Sequence, residues 1–147
     1  KYIKKNSGIT FTIIRDPVAR FESLINYRLG QSNPRNDWPR RLWYVYKNKN
    51  ININKIVSQM SNREITDFIP YRTLTYWGTN IDIFITIDKL HDFLSYFGYN
   101  YSENRYKRKN ISKKNRGKLS ESTKNRIAKL YSDDVFLFER TVKVPKI

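Results

Sequence analysis

The sequence predicts an α/β fold built on a parallel sheet. Two observations carry that prediction: residues 9–30 and 81–98 each read as an apolar, β-branched run that turns into a helical pattern at an aspartate. A third bounds it. The chain has 147 residues, the size of one domain, and its 39% hydrophobic residues with 15% aromatics are enough to build a core. A single domain over residues 1–147 is therefore expected.

Taken in order, residues 9–15 (Ile-Thr-Phe-Thr-Ile-Ile-Arg) are β-branched and aromatic and read as a buried strand. Asp16-Pro17 stops it and starts a helix, because Asp is a strong N-cap and Pro suits the first helical position. Val18, Phe21, Leu24, Ile25 and Arg28 follow at helical spacing, and Gly30 can end the element. Residues 31–41 hold two prolines and several Asn/Asp, so they read as a loop. Residues 42–46 are aromatic-rich and 47–52 are mostly Lys and Asn. Ile53, Ile56, Val57 and Met60 fall at i, i+3, i+4 and i+7, which predicts a short amphipathic helix.

Residues 81–87 (Ile-Asp-Ile-Phe-Ile-Thr-Ile) form the second strand. Asp88 is placed to cap the next helix, Leu90, Phe93, Leu94 and Phe97 to line one face of it, and Gly98 to close it. Residues 102–118 are basic and too poor in apolar side chains to pack as a core element. Ser120 caps a last helix with Ile127, Leu130 and Tyr131 on its inner face. The tail Val135-Phe136-Leu137-Phe138 is expected to dock on the body. No internal repeat is present.

Composition excludes several classes. No apolar run approaches 18 residues, so no membrane-spanning helix is expected. The first residues, Lys1-Tyr2-Ile3-Lys4-Lys5, lead into no apolar stretch of the kind a secretory leader carries. A chain that opens on Lys rather than Met is expected to be a trimmed or partial product. Cysteine is absent, which rules out disulfides, cysteine zinc sites and a thiol nucleophile and favours a reducing compartment, the cytoplasm. The sequon Asn110-Ile111-Ser112, with no sign of secretion beside it, reads as accidental. The net charge of +16 draws polyanions: nucleic acid, anionic membrane, acidic glycans or phosphorylated cofactors. Lys, Asn and Ile are also frequent wherever a genome is AT-rich, so only placed charges argue for function.

The best-placed charges lie in Arg15-Asp16-Pro17-x-x-Arg20-x-x-Ser23. Arg15 falls at the carboxyl end of a strand, where open α/β sheets bind ligands. It also lies beside a helix N-terminus, whose N–H groups and dipole favour an anion. Its guanidinium is a planar donor fork matched to phosphate. Ser23, about two turns into the helix, can add a hydroxyl donor. Arg20 can join the site, or pair with Asp16 or Glu22 and hold the turn. Each has a plainer alternative: a strand-end arginine paired with a carboxylate, and a serine on a helix surface. His91, the single histidine, can act as a base, but its place on the polar side of its helix favours a solvated residue. Trp38, Trp43, Tyr44 and Tyr46, mixed with Arg40 and Arg41, can stack on sugars or bases, although core packing accounts for them better. Lys113, Lys114, Arg116 and Lys118 read first as a solvated basic loop.

The strand ending in Arg15-Asp16-Pro17, running into a helix with Arg20 and Ser23, resembles the 3′-phosphate-binding motif of the sulfotransferases, above all the Golgi-type carbohydrate family and its microbial and viral relatives. Other stretches are similar in order and rough spacing. Phe68-Ile69-Pro70-Tyr71-Arg72 resembles the family's Pro-Gln segment, with Arg72 where Gln is usual. Asp82-Ile83-Phe84-Ile85 followed by Asp88-Lys89-Leu90 resembles its second strand and acidic turn, which usually carries Glu. Asn110-Ile111-Ser112-Lys113-Lys114 resembles the late loop over the nucleotide, and Leu119–Tyr131 with Asp133-Asp134-Val135-Phe136-Leu137-Phe138 the family's ending.

The resemblance implies a P-loop-like parallel sheet flanked by helices and a transfer of sulfuryl from 3′-phosphoadenosine 5′-phosphosulfate (PAPS) to an acceptor hydroxyl, on a carbohydrate. It implies that Arg15 and Ser23 hold the cofactor's 3′-phosphate, that Asn110, Ser112, Lys113 and Lys114 lie over the nucleotide, and that Asp16, Pro17 and Arg20 are architectural. The family's Lys- and Gly-containing loop for the 5′-phosphosulfate, and its catalytic His or Glu, precede this motif. Here only fourteen residues precede Arg15, and none of the five glycines has that context. The expectation is the C-terminal half of a sulfotransferase domain, without the first strand and loop and with the base elsewhere. Animal relatives sit in the Golgi lumen, which would hold here if the full protein carries an N-terminal anchor. The rival expectation is a basic nucleic-acid-binding protein without catalysis, which explains +16 but not the capped turn after a strand. A P-loop kinase is disfavoured, since no G-x-x-x-x-G-K-[ST] occurs.

Overall fold

The computed structural model describes residues 8–29, 51–69, 81–99 and 117–143. Within them the order is β1 (Phe11–Ile14), α1 (Pro17–Leu29), α2 (Ile53–Ser58), α3 (Asn62–Thr66), β2 (Ile83–Thr86), a 3-10 turn (Ile87–Lys89), α4 (Leu90–Tyr96), α5 (Glu121–Leu130) and α6 (Ser132–Lys143). The fold is mixed and helix-rich around a small sheet. β1 and β2 pair in parallel, Phe11 opposite Ile83 and Ile14 opposite Thr86. Parallel neighbours need a long crossover, and the chain from α1 to α3 supplies one.

The helical side holds the core. α5 packs against α1, α2, α3 and α6. Phe21, Ile25, Ile53, Ile56, Ile65 and Ile127 are fully enclosed there, and Phe21 meets Phe68 with ring centroids 4.7 Å apart. Arg28 continues the apolar stripe of α1 as the spacing requires: it is buried, with its guanidinium 4.8 Å from the centre of the Phe68 ring.

Polar side chains cross-link this core. Arg126 of α5 donates to the Val57 and Met60 carbonyls at 3.1 and 2.8 Å, which closes the end of α2. Tyr131 donates to the carbonyls of Ile65 and Thr66 and accepts from the Ile69 N–H, which closes α3. The carboxylate of Glu22 accepts from the Leu119 N–H at 3.0 Å, and Asn54 holds Lys118 and Ser120, so the entry to α5 is tied to α1 and α2.

Several elements follow the sequence reading. Asp16 caps α1 through the Val18 N–H at 3.0 Å, and Ser120 caps α5 through the Thr123 N–H. Gly98 closes α4 with φ of +78°, where its own N–H reaches Ser95 and the next reaches Leu94, a Schellman arrangement. Others are corrected. β1 is not a fully buried strand: Ile14 is enclosed, but Phe11 and Ile13 on the opposite face are 42% and 41% exposed. Among the described residues that face is met by the Phe93 ring, 4.8 Å from Phe11. Asp88 does not cap α4; it lies inside the 3-10 turn, and Lys89 takes the cap position without a side-chain bond. Phe97 of the expected inner face is 43% exposed.

The stretch 135–138, expected to dock on the body, does so as part of a helix, α6, which packs against α1, α5 and β2 and whose first turn carries Asp133 and Asp134 where acids favour a helix start. The sequence reading also missed α3. Its signature was present: Ser61 and Glu64 form a reciprocal capping box.

Candidate functional site

Ile14 anchors the end of β1 in the interior, and Asp16 fixes the start of α1. Arg15 is thereby delivered, exposed, into a two-residue link at the carboxyl edge of the sheet. The backbone supplies less to an anion here than a bare helix start would. Pro17 has no N–H, the Val18 N–H is taken by the Asp16 carboxylate, and the Arg20 N–H bonds the Asp16 carbonyl at 2.8 Å. That leaves Ala19 from the first turn, next to a resident negative charge. Any anion at this edge is held mainly by side chains.

Two arginines supply them. Arg15 and Arg20 line one shallow hollow together with Ile14, Pro17, Ile69, Asp134 and Leu137. Arg20 is half-buried, and burial pulls its pKa below the usual arginine value. The charge of Asp134 and then the Tyr131 phenol favour its ionised form, while Arg15 opposes it. The guanidinium stays charged at neutral pH all the same. Two guanidiniums that repel one another across a common hollow are a site whose energy a bound anion lowers.

Arg20 thus turns towards the α5–α6 junction rather than serving only the turn, and the structure groups it with Arg15. Ser23 is exposed on α1, about 9 Å along the axis from Pro17, and does not line the hollow. A phosphate shared by Arg15 and Ser23 would lie along the outside of α1. Asn110, Ser112, Lys113 and Lys114 lie outside the described residues, as do Trp38, Arg40, Arg41, Trp43, Tyr44, Tyr46, Arg72 and Arg116. Lys118 is exposed and contributes its carbonyl to Asn54. His91 is exposed on α4 with Nδ1 3.7 Å from Asp92 Oδ1, in keeping with a solvated residue.

Two partners escaped the sequence reading. Asp134 reaches the hollow from α6. Lys124 of α5, bonded to Glu121 at 2.6 Å, also faces Glu22 and Asp16; the bond to Glu121 does most to raise its pKa above the usual lysine value. Both lie more than a hundred residues from Arg15 in sequence, and no local pattern links them to it.

Among the described residues no group of His, Asp and Glu is arranged to hold a metal ion, and no helix is long and apolar enough to cross a membrane. No protein-family model, no curated protein and no solved structure matches this chain.

Proposed function

We propose that this chain is the 3′-phosphate-binding half of a PAPS-dependent sulfotransferase, acting on an acceptor hydroxyl of a carbohydrate. One observation carries the reading: Arg15, at the carboxyl edge of the parallel sheet, shares a hollow with Arg20 of the helix that follows. The donor set suits a phosphate, with two guanidinium side chains on one hollow and the Ser23 hydroxyl farther along the helix that carries Arg20. When bound, the cofactor supplies the sulfuryl group. The residues of this chain hold its nucleotide end, so that the transferring group is oriented by binding rather than by chemistry. Asp16 keeps the link rigid, and Ile14 and Pro17 fix where Arg15 begins. The sheet is then one portion of a P-loop-like fold.

Calorimetric titration with adenosine 3′,5′-bisphosphate, beside 5′-AMP, tests this. The bisphosphate is expected to bind well above 5′-AMP, and Arg15→Ala to weaken it by about 2 kcal/mol, the scale of a charged hydrogen-bond pair. Binding by a longer chain alone would place the rest of the grip outside these residues. Failure in both, with steeply salt-dependent binding of oligonucleotides, would replace the reading by a nucleic-acid-binding function.

A further inference from the structure

The hollow at the end of β1 is not purely cationic. Asp134, in the first turn of α6, lines it together with Arg15 and Arg20. Its carboxylate is the charge that most favours ionised Arg20. The hollow as it stands has room for no more than a water molecule, so a phosphate does not enter it without movement of a lining side chain. The apolar members, Ile14, Pro17, Ile69 and Leu137, are backbone-anchored in the strand, the helices and the buried segment after α3. Among the described residues, the lining side chains with a charge to exchange are Arg15, Arg20 and Asp134.

We propose that Asp134 is an internal anion that latches Arg20, and that a phosphate binding at the Arg15–Arg20 hollow must take its place. This rests on the anion-site reading above and adds a regulatory element to it. A resident carboxylate makes the site selective, because only a ligand that outcompetes a tethered anion for two arginines opens it. Dianionic phosphate does so with more charge and more acceptor oxygens than a carboxylate brings. Tyr131 cannot take over from Asp134, since its hydroxyl is committed to the Ile65 and Thr66 carbonyls. The anchoring of α6 does not depend on Asp134 either. Leu137 and the buried Thr141, one and two turns further on, lie on the same face.

The test is calorimetric titration of adenosine 3′,5′-bisphosphate, at fixed ionic strength, into the wild-type chain and the Asp134→Asn, Asp134→Ala and Arg15→Ala variants, with thermal unfolding of each. Removing the like charge is expected to tighten bisphosphate binding about tenfold in both Asp134 variants. That gain is expected to vanish in the Arg15→Ala/Asp134→Asn double variant. Wild-type binding that Arg15→Ala abolishes, but that neither Asp134 variant strengthens while both unfold like wild type, overturns the latch and leaves the site standing. Absence of binding in all the proteins and in their longer-chain counterparts, or binding indifferent to Arg15→Ala, overturns the site and the latch together.

Discussion

Around α5, Phe21, Ile25, Ile56 and Ile127 are wholly enclosed, whereas along β1 Phe11 and Ile13 are 42% and 41% exposed and α4 has no buried residue. The residue types are the same on both sides; what differs is the number of layers. The helices of the first region close on one another and have their ends tied by Arg126, Tyr131 and Glu22. The strand region is held by its ladder, by Asp82 bonded to Thr10, and by a file of rings from Phe11 through Phe93 to Phe97. Stability is therefore concentrated on the helical side, and the Arg15–Arg20 hollow lies on the seam between a firmly packed body and a lightly covered sheet.

The sharpest way to break that contrast is a pair of matched truncations. Phe21→Ala should cost about 4 kcal/mol and Phe93→Ala about 1 kcal/mol in urea denaturation, because only the first leaves a closed cavity. Equal costs would mean that the two regions are packed alike. Tyr131→Phe should cost about 2 kcal/mol in the same assay, since it keeps the ring but strips a buried hydroxyl from two carbonyls. A change near zero would show that α3 is held by packing alone.

The smallest effect probes the strand side. The Thr10 N–H, then its hydroxyl, hold the exposed Asp82 carboxyl below the usual aspartate pKa. A pKa lowered by folding stabilises the fold above the unfolded value and loses that contribution as the pH falls through the folded one, here below about 4. Asp82→Asn should flatten the acid limb of the melting temperature between neutral pH and that range. An unchanged limb would mean that the Asp82–Thr10 bonds do not contribute in solution.

What the sequence disclosed follows from how local each signal is. The Asp16-Pro17 start, the Ser120 cap and the Gly98 stop are set by a few adjacent residues, and each formed as read. The stripe of α1 predicted even the burial of Arg28. Burial of β1 was misjudged because an apolar run reports that a strand can be covered, not that both faces are. α6 went unread because its apolar run, Val135 to Phe138, is short and continuous and shows no helical period of its own. The strand-turn-helix formed as read, with Arg15 at the strand end and Arg20 on the helix that follows. Asp134 was invisible, since it meets them through tertiary packing.

The bond from the Leu119 N–H to Glu22 spans 97 residues and has a consequence in time. A ribosome adding roughly 5–20 residues per second needs on the order of 5–20 s to make that stretch. Phe68 arrives part-way, but α5, which packs against α1 and shares its core, is made only after that whole stretch. For that interval the nascent chain carries the apolar stripe of α1 without its α5 cover. Its native burial waits for α5, and until then the stripe is a natural place for a chaperone to hold the protein.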